Sequence, residues 1–275
     1  MSTAARPHRH VRVEHIMGTA MAIHVVARPD LSQAVDAAAR RCFADLRRVD
    51  RLFSTYRPES AISRVQRGEA AIDDLDPLIG EVARSCSDWE RATHGRFSAN
   101  WRGVFDPTGY VKGWSAERAA RTHLEPLLAV PGVVAAGISA GGDLQLLTAP
   151  GEAWRWRVGI ADPARPGSVT ATIEIANGAV ATSGTRERGA HILDPLTGRP
   201  AEGVASATVV ADSLAVADVR ATAAVVAGFD DLGWIAAADT RTGLIVAADG
   251  RVRRWLGSTE IAVEAASPLA LVASV

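Results

Sequence analysis

Two periodicities divide the chain. In "VRVEHIMGTAMAIHVVA" (residues 11–27) apolar and polar positions alternate, the two-residue period of half-buried strands, and Gly18 interrupts them as a turn would. In "DLSQAVDAAARRCFADLRRVDRLF" the apolar residues recur every three or four positions behind an Asp30/Ser32 cap signal, which predicts a long helix. "STYRPESAISRVQRG" is polar around Pro58 and reads as a loop followed by a short helix, and helical spacing returns from Pro77 to Thr93. The run "GRFSANWRGVFDPTGYVKGWSAERAARTHLEPLLA" predicts a loop that becomes a helix near Tyr110.

The second half is richer in strand signals. "AAGISAGGDLQLLTA" reads as strand, glycine turn, strand, and "WRWRVGIADP", "VTATIEIANGAVATSG" and "GAHILDPLTGRPA" as further strands punctuated by Asn-Gly and Asp-Pro. "SATVVADSLAVADVRATAAVVAGF" predicts a strand and then a helix, with Asp212 or Ser213 as cap and Gly228 as stop. Strands that mostly follow strands, broken by two long helices, argue for an α+β fold. No repeat or low-complexity linker divides the chain. One domain over residues 13–265 is expected, between a flexible N-terminal tail (1–12) and a C-terminal tail (266–275).

Composition narrows the partners. The 275 residues are 48% hydrophobic and 22% charged, enough to bury a sizeable core. Thirty Lys and Arg against 31 Asp and Glu leave a net charge of -1, which gives no electrostatic case for nucleic acid or an anionic membrane as main partner. Cys42 and Cys86 form no CxxC or Cys/His pattern; they could make a single disulfide, but read better as two buried thiols in a reducing compartment. The basic N-terminus is not followed by an apolar run of signal-peptide length, and no stretch approaches a membrane-spanning helix, so a cytoplasmic protein is expected.

Four stretches could carry chemistry. Asp218 and Thr222 lie four residues apart, so on a helix they stack on one face. A carboxylate and a hydroxyl so placed suit a weakly caged Mg²⁺ that keeps waters and takes substrate phosphates, or are simply a surface Asp and a Thr bonded back to its helix. Asp106, Gly109 and Lys112 surround a helix start, a possible phosphate seat without P-loop spacing, or a plain loop-to-helix junction. "SAGGDLQL" is a hairpin turn, or a backbone brought close to a ligand. His191, beside an Asp-Pro turn, is either a general base for a hydroxyl nucleophile or a structural histidine. Ser183 lacks the GxSxG elbow and is not nominated as a nucleophile.

In order, the chain shows "MGTAMAIHV", "VDRLFSTYRPESAISRV", "FDPTGYVKGWSAERA", "SAGGD", "AVATSGTRERGAHILDPLTG" and "ATVVADSLAVADVRATA". This succession resembles the ApbE family of FAD:protein FMN transferases over roughly residues 15–230 and weakly to about 265. The resemblance implies a single α+β domain of the T-fold-like kind, with antiparallel sheets packed with helices. It implies a reaction in which a Ser or Thr hydroxyl of an acceptor protein attacks the FMN-side phosphorus of FAD and AMP leaves, with Mg²⁺ as cofactor and FAD as donor. By position, Asp218, Thr222 and the Gly109 carbonyl match the family's metal ligands. Met17, Tyr56, Asp106, Lys112 and the Ile192 backbone match its FAD contacts, as does the loop of Arg96, Phe97 and Ser98. His191 matches the histidine that takes the acceptor hydroxyl's proton, and His191 and Asp218 are the expected catalytic residues. The expected partner is a protein bearing an Asp-Gly…Ser/Thr-Gly-Ala-Ser/Thr motif. Three departures stand out: "GRFSA" (95–99) where "GAFD" is common, Arg220 where a small or apolar residue is usual, and "DPTG" before the lysine. Two other readings share the same site: an FAD pyrophosphatase releasing FMN and AMP, and a non-catalytic FAD-binding protein.

Overall fold

The computed structural model describes residues 7–184 and 192–261. It opens with a hairpin of β1 (His8–Ile16) and β2 (Thr19–Ala27), closed by Met17 and Gly18 at φ 54° and 69°. Positive φ at both turn residues gives a hairpin the right twist, but it is unusual for a methionine. The flexible tail expected over residues 1–12 is therefore corrected from His8 onward: His8 to Arg12 pair with Ala27 to Ile23 in an antiparallel ladder, which satisfies their backbone groups.

Helix α1 (Ser32–Phe53) turns Val35, Ala38, Cys42, Leu46 and Val49 inward, at the three- and four-residue spacing of one helical face. The Asp30/Ser32 cap does not form. Leu31 holds the cap position after a 3₁₀ turn at Pro29–Leu31, and Asp30 instead accepts from Arg28 Nε at 3.0 Å. Side-chain caps do start α2 (Ala61–Gln66) and α3 (Pro77–Ala92): Ser60 accepts from the Ser63 amide at 3.0 Å and Asp76 from the Leu78 amide at 3.1 Å. Helix α4 (Thr108–Ala119) widens into a π turn at Ala120–Leu124 and ends in a 3₁₀ turn at Glu125–Ala129.

The remaining elements are β3 (Val133–Ala140), β4 (Asp143–Thr148), β5 (Trp156–Ala161), β6 (Val169–Ile175), β7 (Gly178–Gly184), β8 (Val204–Ala211), α5 (Leu214–Ala227), β9 (Thr242–Ala247), β10 (Val252–Leu256) and β11 (Thr259–Ile261). Nine of the described strands form one antiparallel sheet in the order β1-β2-β3-β4-β7-β8-β9-β10-β11, and β5 and β6 pair only with each other. The strand expected over 189–201 is not there among the described residues: 192–200 is a turn held by one bridge, Leu193 to Pro200, with Asp194 accepting from the Leu196 amide and the Thr197 hydroxyl. An Asx turn competes with ladder pairing, and here it wins.

Alternate residues separate the sheet's faces. Met21, Ile23, Val25, Ala179, Ala181, Val209 and Ile245 face the layer of α1, α4 and α5. Val26, Val134, Leu146, Val180 and Val210 face the other way, against Trp156 and Ile175 of the β5–β6 hairpin. Helix α5 is almost wholly Ala and Val because it is covered on most sides, with Ala217, Ala221 and Ala224 fully buried. A third cluster packs α2, α3 and the end of α1 against Tyr110, Val111 and Trp114 of α4.

Candidate active site

The site begins where α4 meets α5. A Cβ on Gly113 would lie 2.8 Å from Asp218 Oδ2, 2.9 Å from Asp218 Cβ and 3.2 Å from the Leu214 carbonyl, so the bare glycine lets the helices touch at this point. The N-terminus of α5 is fixed from three sides. Ser213 caps it by accepting from the Val216 amide at 3.3 Å, and Glu117 accepts from the Ala215 amide at 3.0 Å. The buried Gln145 accepts from the Leu214 amide at 3.0 Å while donating to the carbonyls of Gly178 and Asp212. Arg220, only 5% exposed, points away from Asp218; its guanidinium donates to the carbonyls of Ala92 and Ala237 and lies over the Trp89 ring. It braces α5 against the end of α3.

With α5 so held, Asp218 Oδ2 accepts from Lys112 Nζ at 2.9 Å, and the same ammonium forms a second ion pair with Asp143. The other oxygen of Asp143 accepts from the Thr182 amide at 2.9 Å. Both carboxylates are nearly sealed, at 5% and 6% exposure. Burial and the neighbouring Asp218 charge push the Asp143 carboxyl up to about 6, even against the Lys112 charge. Burial alone would lower the Lys112 ammonium, but Asp218 and Asp143 outweigh it and hold it above its usual range. One turn further along α5, the Thr222 hydroxyl shares a 3.0 Å hydrogen bond with Ser183 of β7.

These groups open on a cavity of about 1570 Å³, larger than the pocket a small metabolite needs. Met17, Tyr56, Arg96, Phe97, Ser98, Asp106, Gly109, Lys112, Ile192, Asp218 and Thr222 all line it. His191 lies outside the described residues. The lining residues differ in what else they do. Tyr56 is 94% exposed at the rim, free to lie against a ring. Met17 Sδ accepts from the Ser115 hydroxyl at 3.8 Å. Asp106 accepts from the Thr108 amide and hydroxyl and so begins α4, while Ser98 accepts from the Asn100 amide at 3.1 Å. Arg96 is paired with Asp231, Phe97 is buried with its amide donating to Thr93 Oγ1, and the Ile192 carbonyl accepts from the Ala201 amide.

Among the described residues no group of three or more His, Cys, Asp or Glu side chains is placed to hold a metal ion. What α4 and α5 present instead is one carboxylate, one hydroxyl and the backbone at Gly109, all lining the same cavity. Hard oxygens with little negative charge fit Mg²⁺ and do not fit a softer ion. Sequence reasoning missed Asp143 and Ser183. For Asp143 a signal existed: in "DLQL", Asp143 and Gln145 share one strand face while Leu144 and Leu146 take the other, so two polar side chains point at the helix layer.

The ApbE family model matches residues 17–106 and 102–246. A protein of Rhodobacter capsulatus described as FAD:protein FMN transferase is 37% identical over 205 residues, covering 71% of this chain and 35% of that protein's length. This chain thus spans about a third of that curated relative. The crystal structure of the ApbE protein of Thermotoga maritima superposes with a TM-score of 0.78 at 23% identity, covering 90% of this chain and 97% of that one. The flavin transferase ApbE of Vibrio cholerae gives 0.70 at 22% identity, covering 92% and 98%. These likenesses place the mixed helix and antiparallel-sheet fold, and with the family model extending over most of its length, the chain belongs to the ApbE family.

Proposed function

We propose that this protein is an FAD:protein FMN transferase, as the names of its relatives suggest, and that it depends on Mg²⁺, as its cluster of hard oxygen groups suggests. The observation that carries the reading is Lys112, held between two buried carboxylates at the wall of a cavity large enough for a dinucleotide, with Thr222 on the same wall one helical turn beyond Asp218. Asp218, Thr222 and the Gly109 carbonyl would hold the cation. When bound, Mg²⁺ supplies charge neutralisation on the diphosphate.

The chain's own groups do the rest. Lys112 is a fixed positive charge for the diphosphate oxygens, and the start of α4 at Thr108 and Gly109 opens on the same space. The acceptor's Ser or Thr oxygen bonds to the FMN-side phosphorus, the P–O bond to the AMP phosphate breaks, and its electron pair leaves with AMP. The hydroxyl proton passes to His191, a role worth about 10²–10⁴ in rate for a positioned base. The exposed Tyr56 at the rim takes a flavin or adenine ring.

The test combines the protein, FAD, Mg²⁺ and an acceptor carrying the Asp-Gly…Ser/Thr-Gly-Ala-Ser/Thr motif, read by mass spectrometry of the acceptor and by AMP release. A covalent FMN adduct with AMP in equal amount is expected, and Asp218→Ala abolishes both. Free FMN and AMP without an adduct would replace transfer by hydrolysis, and FAD binding without AMP release would replace it by simple binding.

A further inference from the structure

Lys112 Nζ sits 2.9 Å from Asp218 Oδ2, on a carboxylate that the proposed function assigns to a divalent cation. An ammonium and a divalent cation held on one carboxylate repel each other at close range. We infer that Asp143 is a positioning residue: it holds the Lys112 ammonium and so frees Asp218 for the cation. The inference rests on the proposed role of Asp218.

Asp143 is built for this. One oxygen is pinned by the Thr182 amide at 2.9 Å, which leaves the other to the ammonium. It is the first residue of β4, directly after Gly141 and Gly142 at φ 62° and 106°. That turn cannot shift freely, because a Cβ at Gly141 would lie 2.5 Å from Thr19 Oγ1. The charge count agrees. Two carboxylates and one ammonium leave one net negative charge for a cation to meet. Without the Asp143 charge, Lys112 would neutralise Asp218 completely, and a cation could enter only by leaving a mostly buried ammonium unpaired, which is costly.

The experiment measures Mg²⁺ binding by calorimetry, and Mn²⁺ binding by paramagnetic resonance, on the full chain without FAD. Asp143→Asn keeps an oxygen for the Thr182 amide but loses the charge, and should weaken binding by about tenfold, the scale of one charge-assisted contact. Lys112→Met removes the competitor and should bind the cation at least as well as wild type. The double variant Asp143→Asn/Lys112→Met should return to near the wild-type affinity. Asp50→Asn serves as the charge control: Asp50 lines the same cavity but pairs with Arg57. The inference is overturned if Asp143→Asn binds Mg²⁺ like wild type, if Asp50→Asn weakens binding as much, or if the double variant stays weak. Should Asp143→Asn not fold, weaker binding by Lys112→Met alone overturns it. A wild-type protein that binds no divalent cation sinks the Asp218 assignment first, and this inference with it.

Discussion

Replacing Gly113 by alanine sets two opposite effects against each other. In a helix interior alanine is worth about 1 kcal/mol over glycine. At Gly113, however, the added methyl would lie 2.8 Å and 2.9 Å from Asp218 atoms and 3.2 Å from the Leu214 carbonyl. Neither α5 nor its capped N-terminus can yield cheaply, and overpacking of this kind costs about 1–3 kcal/mol. The expected net loss is about 1 kcal/mol, or roughly 2–4 °C in Tm. Gly80 of α3 is the matched control, since its Cβ would meet only the mobile end of Arg84 at 3.4 Å. There the propensity gain stands alone, and Gly80→Ala should be stabilising by up to about 1 kcal/mol. Urea unfolding of both variants gives the stabilities, and the FMN-transfer assay gives the second readout. Displacing the Asp218 carboxylate from its place by even about 1 Å should cost the proposed transfer on the order of 10²-fold in Gly113→Ala and nothing in Gly80→Ala. Two alanine variants equally stable and equally active would refute the close approach of α4 and α5.

Three further outcomes can be measured. Ser213→Ala removes the cap on Val216 and the bond to Glu117, and should lower stability by about 1–2 kcal/mol in urea titration. Gly243→Ala would put a methyl 2.0 Å from the fully buried Trp255 ring, so a thermal melt should show a loss of about 3 kcal/mol or more. Burial pushes the thiols of Cys42 and Cys86 up to about 12, helped by Asp45 for the first and by Glu90 and Asp106 for the second. At pH 8 both are therefore neutral thiols, and a thiol reagent should modify neither in the native protein and both after unfolding.

Elements whose burial follows a single period were legible. The β1–β2 alternation, the inward stripe of α1 and the Ser213–Gly228 frame of α5 each follow from a local rule that tertiary structure did not override. Other elements depended on partners distant in sequence. Residues 8–12 look like a basic tail until β2 supplies their ladder, and the Asp30 carboxylate prefers the nearby Arg28 guanidinium to a helix amide. Spacing and motif order singled out Asp218, Thr222 and Lys112, and all three line the same cavity. Asp143 was hidden by a sufficient simpler explanation, since Gly-Gly-Asp makes a good hairpin turn whatever the carboxylate touches. Its meeting with Lys112, 31 residues away, is a product of sheet topology.

The β5–β6 excursion has a consequence for how this chain can be shortened. Strands β4 and β7 are already neighbours, with Leu146 opposite Gly178, so by connectivity alone a few residues could replace everything between them. Solvent forbids it. Trp156, Ile160 and Ile175 roof the sheet's rear side, and trimming them would leave Val26, Val134, Val180, Val210, Leu244 and Val246 as a greasy strip inviting self-association.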